Sequence, residues 1–383
     1  MIHRRNWNGP RSVDGSVRPL GLVPLILSVW VFAGPAMGQV GIGRGLSCED
    51  AAREQVDSGL ERKIREVVAD HAAALGGKDE AAASRAREEL MSPLGCPTVS
   101  VEFRLKYAEV VEPALAPLVA GTDERVAANA LLVCGRLKAS IGLRPLEAGL
   151  ANANPVIRFA AASGLRDMFS QLAADPSGFP EQQSERAMDR LAAALDSESD
   201  PMVADALILA LGDGPQRNPV LRGKGIARLT SALGKNVASL RESAATLDPR
   251  WSGTLYRGLD LARLTILDQL VQGSADRSLT AQTAVLAGRT LALARDRFDA
   301  SSEPERADLA AMVGAAEVAM VTAHNAQTGQ KVGEQALQKV FEEAISSGEI
   351  TPFQSALESW IGASGLLTKP PYSTKPDDFA PMN

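Results

Sequence analysis

One helical pattern occurs three times in this chain, at Val126/Ala130/Val133/Cys134, Ile157/Ala161/Gly164/Leu165 and Val203/Leu207/Ala210/Leu211. The shared offsets of 0, 4, 7 and 8 residues place four small or apolar side chains on one face of an α-helix. A helical hairpin of this size cannot bury such a face alone, so successive hairpins must stack and bury it between them. The pattern therefore predicts an α-solenoid, an array with long exposed surfaces that binds more often than it catalyses.

Composition agrees with an all-α chain. A strand-rich fold needs alternating runs of β-branched and aromatic residues, whereas aromatics are only 4% of these 383 residues. The hydrophobic share of 45% is enough for a substantial core.

The helices before the repeats form an N-terminal hairpin domain over residues 39–100. A first helix is expected from 48 to about 75, broken by Gly76-Gly77-Lys78, and a second to about 91, ended by Ser92-Pro93 and Gly95-Cys96-Pro97. The repeats then occupy 101–212. In the second unit a helix over 143–150 precedes the turn Ala151-Asn152-Ala153, and Asn154-Pro155 opens the next helix. Asn at the N-cap accepts from an orphan N–H, and Pro at the first helical position has no N–H to leave unsatisfied. Asp200-Pro201 repeats this chemistry in the third unit, after a helix over about 184–195, and Asp123 holds the corresponding place in the first.

The segment from Asn154-Pro155-Val156-Ile157-Arg158 to Ala160-Ala161-Ala162-Ser163-Gly164-Leu165 resembles the second helix of the HEAT-repeat family: an Asp/Asn-Pro turn, a branched apolar residue followed by Arg, and an alanine pair. Ala127 and Ala204 stand where Arg158 does in the other units, and the units are spaced by 31 and then 46 residues. The resemblance covers about 101–212. It implies superhelical stacking and protein binding, and it implies no catalytic residue.

A Pro/Gly-rich break at 212–225 is the expected domain boundary. The C-terminal helical region beyond it, 225–363, is expected to be a bundle or a set of divergent repeats. Its core stripes are Leu255/Leu259/Ala262/Ile266/Leu270, Leu309/Met312/Ala316/Met320 and Leu337/Val340/Phe341/Ala344. Residues 364–383 carry four prolines and no periodicity, the signature of a disordered tail.

Residues 1–38 read as a signal peptide. Arg4, Arg5, Arg11 and Arg18 precede an apolar run over 19–33, and Ala36-Met37-Gly38 supplies small residues for cleavage. The run of about 15 residues falls short of the ~20 that span a membrane, so no stable span is expected after cleavage. Cleavage after Gly38 makes the protein periplasmic or secreted. It removes four arginines and Asp14 and shifts the net charge from −6 to −9. With no cluster of Lys and Arg to meet a phosphate backbone, nucleic acid is not an expected partner.

Cys48, Cys96 and Cys134 show no metal spacing. Cys134 takes the offset held by Leu165 and Leu211 and is expected in the core. Cys48 and Cys96 are then the pair available for a disulfide. An antiparallel hairpin brings them to the same end, although a first helix of about 28 residues spans ~42 Å and the return path falls slightly short. A bend at Ser58-Gly59 or a later helix start would close the gap.

His71 and His324 lie far apart in sequence without triad or metal partners, and no nucleophile elbow, P-loop, H-E-x-x-H or EF-hand occurs. Neither cofactor nor metal is expected. The leading expectation is a non-catalytic scaffold that binds a protein or peptide partner in the cell envelope. The alternative is an envelope or cell-wall-active enzyme with an unrecognised site in the C-terminal helices.

Overall fold

The computed structural model describes residues 45–172, 180–213, 219–243, 247–273, 275–333 and 336–382. The signal peptide expected at 1–38 lies outside the described residues. Arg44–Asn383 form one compact unit.

The described residues hold fifteen α-helices and no strand. They are α1 (Cys48–Ala51), α2 (Ser58–Leu75), α3 (Glu80–Met91), α4 (Val101–Val119), α5 (Glu124–Arg136), α6 (Leu143–Leu150), α7 (Pro155–Leu172) and α8 (Glu181–Asp196). There follow α9 (Pro201–Gly212), α10 (Pro219–Glu242), α11 (Arg250–Val271), α12 (Arg277–Arg297), α13 (Glu303–Thr328), α14 (Leu337–Ser347) and α15 (Thr351–Ile361). Short polar side chains start most of them. Asp57, Asp79, Ser100, Asp123, Asp200 and Asp276 each accept from a backbone N–H of the first turn, and Asn154 Oδ1 accepts from Val156 N at 2.8 Å.

Alternate helices pack on one another, which makes two layers. The helices α2, α4, α6, α8, α10 and α12 follow in one, with α15 after α12; α3, α5, α7, α9, α11 and α13 follow in the other, with α14 last. This is an α-solenoid-like all-α fold, and the nine repeat positions Val126, Ala130, Cys134, Ile157, Ala161, Leu165, Val203, Leu207 and Leu211 are all buried within it. At one close crossing α5 meets α7 backbone to backbone. A Cβ on Gly135 would lie 2.5 Å from both Cα and O of Gly164, so only glycine allows this approach.

No domain boundary interrupts the layers at 212–225. The helix α10 starts at Pro219, inside the expected break, and packs on α8 and on α12, while α11 packs on α9 and α13. The C-terminal helices are thus further turns of one stack, because each leaves an apolar face that the next pair must cover. Leu270 corrects one stripe: it is 43% exposed, whereas Leu255, Leu259, Ala262 and Ile266 are buried.

The first helix is also shorter than expected. It stops at Ala51 and restarts at Ser58, and the intervening loop is stitched to the start of α4. Ser100 N donates to Ala51 O at 2.9 Å, Ser100 Oγ donates to Arg53 O at 2.6 Å, and Val56 N donates to Glu102 Oε1 at 3.0 Å. The 18 residues of α2 rise ~27 Å, which α3 and the 3-10 turn Ser92–Gly95 return. Cys48 and Cys96 therefore come to a Cα separation of 5.5 Å and form a disulfide. It closes a loop of 48 residues, for which chain entropy predicts about 4 kcal/mol at most. Replacing both cysteines by serine should lower the unfolding free energy by about 2–4 kcal/mol, read from urea midpoints; a midpoint unchanged from the oxidised parent would contradict this.

The tail expected to be disordered over 364–383 is instead docked on α12 and α10. Leu367 and Phe379 are buried against Gly288, where a Cβ would lie 2.5 Å from Leu367 Cδ1 and 3.1 Å from Phe379 Cε1. Arg241 Nη1 donates to Asp378 O at 2.6 Å and its Nη2 to Ala380 O at 2.6 Å. Arg295 Nη2 donates to Phe379 O at 2.8 Å. Proline-rich sequence lacks helical periodicity, yet here two apolar side chains and its own carbonyls supply the contacts that order it.

Candidate binding groove

The layer of even-numbered helices is thin at α6. Ser140–Gly142 form a 3-10 turn just before it, so the helix has only 8 residues against 19 in α4 and 16 in α8. That is ~12 Å of cylinder beside neighbours of ~28 and ~24 Å. Alongside α6 lie a cleft of about 230 Å³ between α4 and α6 and another of about 510 Å³ between α6 and α8. Both are walled by Arg144 and Ala148 of α6, so they flank that helix on its two sides as one grooved surface.

Its floor is built from small side chains, Ala116, Ala120 and Ala148 on one side and Ala151, Ala193 and Ala194 on the other. Charges line its rim. Arg144 Nη2 donates to Glu112 Oε1 at 2.9 Å, and Arg186 lies 3.9 Å from Glu147. The same order holds between α10 and α8, with cations on the later helix meeting acids on the earlier one: Lys224 with Glu181 at 2.8 Å, Arg228 with Asp189 at 2.6 Å, Lys235 with Asp196 at 3.0 Å. Exposed pairs of this kind add little stability individually. Arg190, exposed on the groove wall, forms no ion pair with another described residue.

The helix α4 carries Pro113 and Pro117 on one exposed face. Neither has a backbone N–H, so the carbonyls of Glu109 and Pro113 lose their usual i+4 donors. Sequence patterning pointed to the buried faces and missed Glu112, Arg144, Ala148 and Arg190. The signals were an unusually short helix and two prolines four residues apart, which mean little until α6 is placed between its neighbours.

The residue that carries the repeat resemblance has a structural role. Arg158 binds Glu198 through Nε and Nη2, each at 2.7 Å, and donates from Nη1 to Asn152 O at 3.0 Å and Ala153 O at 2.8 Å. Glu198 in turn accepts from Ser199 N at 3.0 Å and Asp200 N at 2.9 Å. One guanidinium thus ties the Asn-Pro turn of one unit to the Asp-Pro turn of the next. Asp248-Pro249 opens α11 in similar fashion, with Asp248 Oδ1 accepting from Arg250 N at 3.0 Å; this turn marks the stack's continuation in the sequence.

The residues considered for chemistry are dispersed. His71 belongs to α2 and His324 to α13, at opposite ends of the helix order. His324 is buried with Nδ1 3.0 Å from the Tyr372 hydroxyl. Burial pushes its pKa down and that of Tyr372 up to about 12. Cys134 is buried, and desolvation raises its thiol to about 12, so it is a small core residue rather than a nucleophile. In the C-terminal helices the converging buried charges are Arg241, Arg295 and Asp296, and they hold the tail. Among the described residues no three His, Cys, Asp or Glu side chains form a metal-binding group, and no helix is long and apolar enough to cross a membrane.

No protein-family model matches the chain. A search of curated proteins finds no similar protein.

Proposed function

We propose that the chain is a periplasmic or secreted scaffold of the HEAT-repeat type, without catalytic activity, that holds a protein or peptide partner along the groove flanking α6. The observation that carries this is the groove itself. It is open, lined by alanine and charged side chains and follows both sides of α6, a form suited to an extended chain rather than to an enclosed small substrate. The Arg158 link between Asx-Pro turns supports the repeat type. The Cys48–Cys96 disulfide supports an oxidising compartment, in keeping with the order of charge, apolar run and small residues over 1–38.

Ala148 is exposed at the centre of the groove, so a large side chain there fills the groove without entering the core. The mature protein should capture its partner from its own envelope extract, and Ala148→Trp should capture at least about tenfold less at an unchanged melting temperature. Equal capture by both proteins would remove the groove from the binding surface.

A further inference from the structure

We infer that the cleft between α4 and α6 takes a basic side chain, an arginine or lysine of the bound partner, on the carboxylate of Glu112. The inference rests on the groove as the binding surface and specifies what one part of it recognises.

Glu112 is a carboxylate on the wall of a mainly apolar cleft, whose other polar lining residues are Arg144 and Asn152. Its side chain is only 6% exposed, while that of Arg144, which pairs with it, is 80% exposed. A carboxylate withdrawn from water needs several hydrogen bonds or a well-fixed cation to offset its desolvation. Glu112 has neither: Oε1 accepts one hydrogen bond, from Arg144 Nη2, and no other described group donates to the carboxylate. The cation it does have projects into solvent at the end of a long, flexible side chain. Beside the carboxylate lies a cleft of about 230 Å³ walled in part by Ala116, Val119 and Ala148.

Those walls suit the methylene stem of a lysine or arginine, which packs along apolar surface while its charged end reaches a polar partner. The charged end then meets an acid already desolvated, where a charge-assisted hydrogen bond is worth more than in water. A neutral side chain of the same length would fill the cleft and leave the acid as it was. An acidic one would be repelled. The mature net charge of −9, reckoned after loss of residues 1–38, also draws a basic partner from a distance.

Three labelled heptapeptides, blocked at both ends, test this on the mature protein. Each has a central residue flanked by alanines: arginine, its uncharged isostere citrulline, or glutamate. Anisotropy should show the arginine peptide binding at least about tenfold tighter than the citrulline peptide, with the glutamate peptide weakest. Glu112→Gln should abolish the preference. Arg144→Ala, which alters an exposed side chain and removes the competing cation, should widen it and so decides the matter should Glu112→Gln fold poorly. Equal binding of arginine and citrulline peptides, a preference that survives Glu112→Gln, or no binding of any peptide would overturn the basic-side-chain assignment. Partner capture that is lost in Ala148→Trp would still uphold the groove in each of those cases.

Discussion

Leu165→Ala should lower the unfolding free energy by about 2–5 kcal/mol. Leu165 is 0% exposed on α7, the helix that packs on both α5 and α9. Truncation removes transfer energy and leaves a cavity that the neighbouring helices fill only in part. Because each hairpin covers the face of the one before, the loss should not stay local. Hydrogen exchange should quicken together in α5, α7 and α9, and thermal melts should shift downward. An unchanged melt would contradict the stacking of these units.

Asp296→Ala should cost about 3–5 kcal/mol and release the tail. Asp296 Oδ2 lies 2.9 Å from Arg241 Nε and its Oδ1 2.8 Å from Arg295 Nη2, with side-chain exposures of 6%, 2% and 9% respectively. Removing the acid leaves two guanidinium groups buried together with no carboxylate between them. Backbone carbonyls of Asp378, Phe379 and Ala380 still accept from them, but repulsion between the cations is then unopposed. Relief comes from admitting water, which means undocking 376–380. Chymotrypsin should then cut at Phe379, a site buried in the docked tail. A variant as resistant as the parent would show that apolar contacts with Gly288 suffice to hold the segment.

The helical class and the central repeats were legible in the linear chain because both depend on local spacing. Offsets of 4, 7 and 8 residues define a helix face wherever the helix is put, and an Asp or Asn before Pro caps a helix through atoms two or three residues away. That is why the face ending at Leu165 and the turns at Asn154-Pro155 and Asp200-Pro201 could be placed, and why Cys134 could be assigned to the core. The pairing of Cys48 with Cys96 could be narrowed by elimination and helix length, but the break after Ala51 depends on Ser100 and Glu102, more than forty residues further on. The proline-rich end has no periodicity to read; Phe379 becomes a core residue only because Gly288 leaves it room and Arg241 and Arg295 hold its backbone. The groove belongs to the same class. Glu112 and Arg144 are ordinary charged residues in sequence, and they form a candidate site because α6 lies beside the second half of α4, a relation that arises only when the layers pack.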